Sequence, residues 1–179
     1  MNSPRYFLVR RPLRLLSAMM TLAVMSVTLQ VSNAQQAKLP ARIDLEDQHE
    51  KKHVITFPAK TITVISLADR HGREEANQWA TTLAAYKNRA AIHGIADASG
   101  TPDFMKPMIR KRIQETQPQM LLIDWTGATS TAMGHQPNVA NLIIVSRQGT
   151  VLHRIAGAPT PANVKTFNAA MDQALARKK

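Results

Sequence analysis

Residues 61–67, Thr-Ile-Thr-Val-Ile-Ser-Leu, constrain the fold more than any other part of this sequence. Ile62, Val64, Ile65 and Leu67 place apolar groups on both sides of an extended chain, and β-branched residues favour that conformation. A strand that is apolar on both faces belongs inside a parallel sheet covered by helices. It leads through Asp69, Arg70, His71 and Gly72 into a helical pattern. Ala76, Trp79, Ala80, Leu83 and Ala84 repeat at helical spacing while Arg73, Gln78 and Lys87 fall outside the stripe, which predicts a helix over residues 74–88.

The remaining segments fit around that unit. Ile43-Asp44-Leu45 and His53-Val54-Ile55 flank a charged turn at 46–52 and predict a short β-hairpin, joined to the central strand through residues 57–60. Residues 91–96 and 120–123 read as two further buried strands. Between them, Thr101 as N-cap and Pro102 at N1 predict a helix running to about Glu115, with Pro107 kinking it or marking a later start. Residues 127–134 read as a loosely helical connection. Residues 139–145 and 150–155 predict a hairpin with Gly149 at positive φ. Thr160 and Pro161 open a last helix whose Val164, Phe167, Met171, Ala174 and Leu175 line one face, with Arg177, Lys178 and Lys179 at its C-terminal end. Alternating β and α units followed by a hairpin and a helix predict an α/β fold: a central mixed sheet flanked by helices, with an N-terminal β-hairpin.

The first 34 residues stand apart. Arg5, Arg10, Arg11 and Arg14 precede an almost uncharged apolar run over 13–31, and Ser32-Asn33-Ala34 offers small residues for cleavage. This predicts a signal peptide at 1–34, a linker at 35–42 and one domain at 43–179, with no transmembrane domain after cleavage. The alternative is a retained anchor, since roughly 20 apolar residues span a bilayer. The formal net charge of +11 includes those four arginines and no acid from the leader, so the mature chain carries +7. Such a charge suits an acidic protein or an anionic membrane surface. Nucleic acid is not expected, because two Trp, two Tyr and four Phe leave few groups to stack bases. There is no cysteine, which excludes thiol–disulfide oxidoreductase and cysteine peroxidase chemistry, both of which need a thiolate.

Residues 43–177 resemble the thioredoxin-like superfamily, in particular its periplasmic redoxin and peroxiredoxin-related branch and the small YtfJ-type proteins that carry this layout without an obvious redox pair. Ala68 and Gly72 match the places around the redox motif, and His71 and Glu74 stand where its two cysteines would be. Asp124-Trp125-Thr126-Gly127 resembles the Asp-x-x-Gly after the third core strand. Met133-Gly134 and Ile143-Ile144-Val145 with Gly149 resemble the later landmarks. The cis-proline of the superfamily is replaced in Val139-Ala140-Asn141, so Ala140 is expected to follow an ordinary trans peptide. The resemblance implies a periplasmic or secreted protein with the fold retained for binding.

Asp69, Arg70, His71, Glu74 and Ala140 therefore form the candidate vestigial active-site corner, at the carboxyl end of a strand where α/β sites form. An alternative function is a residual redoxin-type enzyme or a metal-binding protein using His71, Asp69 and Glu74, with a neutral imidazole at the helix N-terminus. The structural alternative is that Asp69 caps the helix while Glu74 and Glu75 complement its dipole. No metal or cofactor is expected. His49 and His53 lie on a hairpin, where i, i+4 spacing does not share a face; His71 and His135 could approach each other, but with no soft ligand beyond methionine a closed site needs His and carboxylate only. Lys106, Arg110, Lys111 and Arg112 are the candidate anionic-partner patch, with a solvated helix face as the alternative. Trp79 and Trp125 read as core, and neither Ser66 nor Ser146 has a Gly-x-Ser-x-Gly context.

Overall fold

The computed structural model describes residues 38–177; residues 1–37, where the signal peptide and its cleavage site are expected, and Lys178 and Lys179 lie outside them. In chain order the elements are β1 (Arg42–Asp47), β2 (Lys52–Thr56), β3 (Ile62–Ala68), α1 (Arg73–Ala84), β4 (Ala90–Asp97), a 3-10 turn (Asp103–Met105), α2 (Lys106–Thr116), β5 (Leu121–Asp124), α3 (Ala128–Ala132), β6 (Asn141–Val145), β7 (Val151–Ala156) and α4 (Pro161–Ala176). The described strands form one seven-stranded sheet in the order β2-β1-β5-β4-β3-β6-β7. β3, β4 and β5 run parallel, whereas β6 pairs antiparallel with β3 and β1 antiparallel with β5. This is the mixed sheet with an N-terminal hairpin that the sequence predicts.

The topology decides which helices share a face. The chain steps from β3 to β4 and from β4 to β5 in one direction across the sheet. Right-handed crossovers then put α1 and α2 on the same side. α4 joins them there, because Trp79, Leu83 and Tyr86 pack with Phe167 and Met171 on Val64, Leu142 and Ile144. The opposite face buries Ile65, Leu67, Ile95, Leu122, Ile143 and Met133. β3 contributes alternate residues to both cores, Ile62 and Val64 to one, Ile65 and Leu67 to the other. That is why its run is continuously apolar.

Three local details depart from the sequence reading. α1 ends at Ala84 rather than near 88. Tyr86 leaves the helix to pack edge-on against Phe167 and donate to Asn168 Oδ1 at 2.9 Å. Thr101 does not cap α2, which begins at Lys106 with Pro107 in its first turn. Pro lacks the N–H that a later position would need, so the ring sets a late start rather than a kink. Trp79 is fully buried, as core should be, but Trp125 is only half-buried. Its ring lies beneath Lys106 and Arg110, at 5.7 and 5.6 Å. At the other end of the sheet Gly149 takes φ +84° in the β6–β7 turn, and Thr160 accepts the Asn163 N–H as cap of α4.

Candidate functional site

The junction of β3 and α1 is built around Asp69. Its Oδ1 accepts the N–H groups of His71 and Gly72, each at 2.9 Å, and its Oδ2 accepts that of Asn138 at 2.7 Å. Burial disfavours the charge, but those three N–H groups and nearby His135 outweigh it and hold the carboxyl below the usual range. Glu75 ties the helix to the facing loop by accepting the Ala140 N–H at 2.9 Å. Gly72 is required here, since a Cβ would lie 2.4 Å from the Val139 carbonyl. The peptide bond before Ala140 is trans.

Arg70, His71 and Glu74 are exposed, and their side chains make no hydrogen bond or ion pair with the described residues. The corner thus ties Asp69 to Asn138 and Glu75 to Ala140 through backbone N–H groups and leaves the His71 and Glu74 side chains without a charge partner among the described residues. Asp69 holds the turn ahead of α1 through these three N–H groups; it does not cap the helix, whose N-cap Gly72 has no side-chain hydrogen bond. Among the described residues no group of three His, Asp or Glu is placed to hold a metal. His49 is exposed, whereas His53 meets Asp47 at 2.7 Å.

Each of the three parallel strands ends in an aspartate that accepts N–H groups from the turn after it. Asp97 accepts from Ser99, and the buried Asp124 from Thr126, Gly127 and Ser130. Asp97 also meets His135 Nδ1 at 3.2 Å. Burial opposes its ionisation, yet Ser99, Ser130 and His135 together keep its carboxyl low. The His135 ring is 8% exposed and its Nε2 has no partner among the described residues. The sequence reading missed the Asp97–His135 pair. The signal was an aspartate terminating every parallel strand.

The four cations of α2 do not form one free face. Lys106 pairs with Asp103 at 2.6 Å and Lys111 with Glu115 at 4.0 Å. Arg110, only 14% exposed, reaches Glu46 at 3.3 Å and Glu50 at 3.6 Å and donates to the Asp47 carbonyl at 2.7 Å. Gln114 donates to the Gln48 carbonyl at 2.6 Å, and the buried Gln48 amide bonds Gln119 and Leu121. α2 is therefore fastened to the β1–β2 turn by polar groups. No residue of α2 is buried. Phe104 and Met108 are 84% and 58% exposed.

A cleft of about 1360 Å³ separates α1 from α2. Its floor is one face of β4, and its walls carry Ala76 and Ala80 from α1 and Ile109 and Ile113 from α2. Asp69, Arg70 and His71 stand at one end, so the corner opens into it.

No protein-family model matches the chain, and no curated protein does. Solved structures match its fold. A thiol:disulfide interchange protein of the thioredoxin family from Chlorobium tepidum TLS superposes with TM-score 0.55 at 13% identity, covering 78% of this chain and 97% of that one. The pneumococcal exposed lipoprotein thioredoxin from Streptococcus pneumoniae gives 0.59 at 8% identity, covering 74% and 99%. An uncharacterized conserved protein from Geobacillus kaustophilus gives 0.60 at 17%, covering 78% and 80%. The chain has a thioredoxin-like fold without cysteine.

Proposed function

We propose that this is an exported, cysteine-free thioredoxin-fold protein of the YtfJ-type periplasmic redoxin branch that binds a partner and performs no redox chemistry. One observation carries the reading. By the resemblance, His71 and Glu74 stand where the fold holds its thiols; their side chains have no charge partner among the described residues, and the acid beside them, Asp69, accepts three backbone N–H groups. Nothing at the corner can form or exchange a disulfide. The basic n-region, apolar run and small-residue site at 1–34 support export, as does the likeness in fold to an exposed lipoprotein thioredoxin. Insulin reduction and peroxide turnover by the protein recovered from expressing cells are expected to equal buffer. Turnover that survives removal of contaminating thiols would refute the reading.

For the partner, α2 favours an anionic membrane surface over an acidic protein. Met108 on α2 and Phe104 on the 3-10 turn before it are exposed, about one and two turns ahead of Lys111 and Arg112. Apolar side chains beside cations suit the headgroup boundary of a bilayer. Retention on anionic vesicles that falls with salt, and no retention on neutral ones, is the expected result.

A further inference from the structure

We infer that β2 is an interface between two copies of this chain, which pair their β2 strands antiparallel about a two-fold axis at Val54 and so join their sheets. The inference stands apart from the corner, the cleft and the binding reading above. β2 is an edge strand of the sheet. The Asp47 N–H donates to the Lys51 carbonyl and the Phe57 N–H to that of Ala41, each at 2.9 Å. With the β1–β2 register between them, these bonds fix the phase of the ladder, because hydrogen-bonded pairs recur at every second residue. His53 and Ile55 turn their backbone groups toward β1. The N–H and C=O groups of Lys52, Val54 and Thr56 therefore point outward, where no described strand pairs with them. All three residues are exposed, with Val54 at 46%.

Sheet edges are ordinarily blunted by a proline, a bulge or a covering segment. β7, the opposite edge, has a register shift against β6 at Ile144 and Val145, and Lys38 bridges Thr150 beside its start. β2 is regular over its five residues and has neither device. Charge and register select a second copy as the occupant. With the axis at Val54, Val54 faces Val54 and Lys52 faces Thr56, so every outward backbone group is paired and the strand's one lysine opposes an uncharged residue. An axis at Lys52 would oppose two lysines. One at His53 would set Thr56 against Glu50, whose φ of +64° is not that of a strand. An axis at Ile55 or Thr56 would bring Pro58, which has no N–H, into the ladder. The chain is strongly basic, yet across 42–56 Arg42, Lys51 and Lys52 stand against Asp44, Glu46, Asp47 and Glu50. This edge thus lacks the repulsion that opposes two basic surfaces, and a two-fold interface needs just such a self-complementary patch. A strand of five residues gives a small interface, so the dissociation constant is expected at about 1–100 µM.

Sedimentation of the protein as recovered from expressing cells, from about 1 µM to about 1 mM, tests this and is expected to show a reversible monomer–dimer equilibrium. Val54→Pro removes the central outward N–H, which the pairing with β1 does not use. It should weaken association at least about tenfold and leave the far-UV circular dichroism unchanged. Because the chain has no cysteine, single cysteines report the register without background. Val54→Cys should give a disulfide-linked dimer under mild oxidation, since Cα atoms opposed at the axis lie about 5.5 Å apart. Lys52→Cys, about 14 Å from its own copy at the strand rise, should not, although it should crosslink when mixed with Thr56→Cys. Gln173→Cys, exposed on α4, should not crosslink either. The proposal falls if the protein is monomeric throughout, which would leave the edge to an extended segment of a different protein. It falls equally if folded Val54→Pro associates like wild type, or if Lys52→Cys or Gln173→Cys crosslinks as readily as Val54→Cys. Should Val54→Pro not fold, the cysteine comparison decides alone. None of these results bears on the redox assay, so the two readings fail separately.

Discussion

α1 and α2 cross the same face of one sheet by the same kind of connection, yet they are held in opposite ways. α1 buries Trp79 against Phe167, with ring centroids 5.5 Å apart, and joins α4 in a closed apolar core. α2 has no fully buried residue and is fastened at one side by Arg110, Gln114 and Gln48 to the hairpin turn. Apolar packing fixes a helix by area and tolerates no gap. A polar clamp fixes it by a few directional bonds and leaves its other side free. The difference teaches where this fold carries its stability and where it leaves room.

The sharpest way to break that comparison is to truncate one residue from each helix. Trp79→Ala should cost about 3–5 kcal/mol in urea denaturation, whereas Ile113→Ala, already half-exposed, should cost under about 1 kcal/mol. Equal costs would show that both helices are packed alike. Next in size is the clamp. Arg110→Met leaves Glu46 and the Asp47 carbonyl without their donor and should cost about 1–3 kcal/mol. Amide exchange should then quicken in α2 and stay slow in α1.

Acid sharpens the same contrast at the turns. The carboxyls of Asp47, Asp69 and Asp97 are all held low against the opposing effect of burial. His53, His49 and Lys51 do this at Asp47, and the contacts already described do so at the other two. A depressed folded pKa contributes stability that is present above the unfolded value and lost as pH falls through the folded one. Stability should therefore decline below about pH 4, the unfolded Asp range. Asp69→Asn should lose about 1 kcal/mol at neutral pH and show a shallower acid decline. The smallest stability effect is expected from Lys106, Lys111 and Arg112→Gln together, within about 0.5 kcal/mol, because their charges are largely solvated. Vesicle retention should drop in that variant. Arg110 is left out because it is part of the clamp.

Much of this molecule was legible in its sequence. The continuous apolar run of β3, the helical stripe of α1, the Thr160–Pro161 start of α4 and the turn at Gly149 each carry a local signal, and each stands where that signal puts it. The missing thiols needed no structure at all. The role of Asp69 was not legible: a carboxylate before a helix suggests a cap or a catalyst, whereas its three N–H partners make it the anchor of the turn ahead of α1. Grouping Lys106, Arg110, Lys111 and Arg112 from spacing on one helix could not reveal that Arg110 turns inward to residues more than sixty positions away. Trp125 looked like core because a large ring is usually buried, yet it became a platform beneath two cations. Local conformation follows from propensity, periodicity and capping, which act within a few residues. The cleft and the Asp97–His135 pair arise from how far one helix stands from a sheet and which strands end side by side, and those distances exist only once the chain has closed on itself.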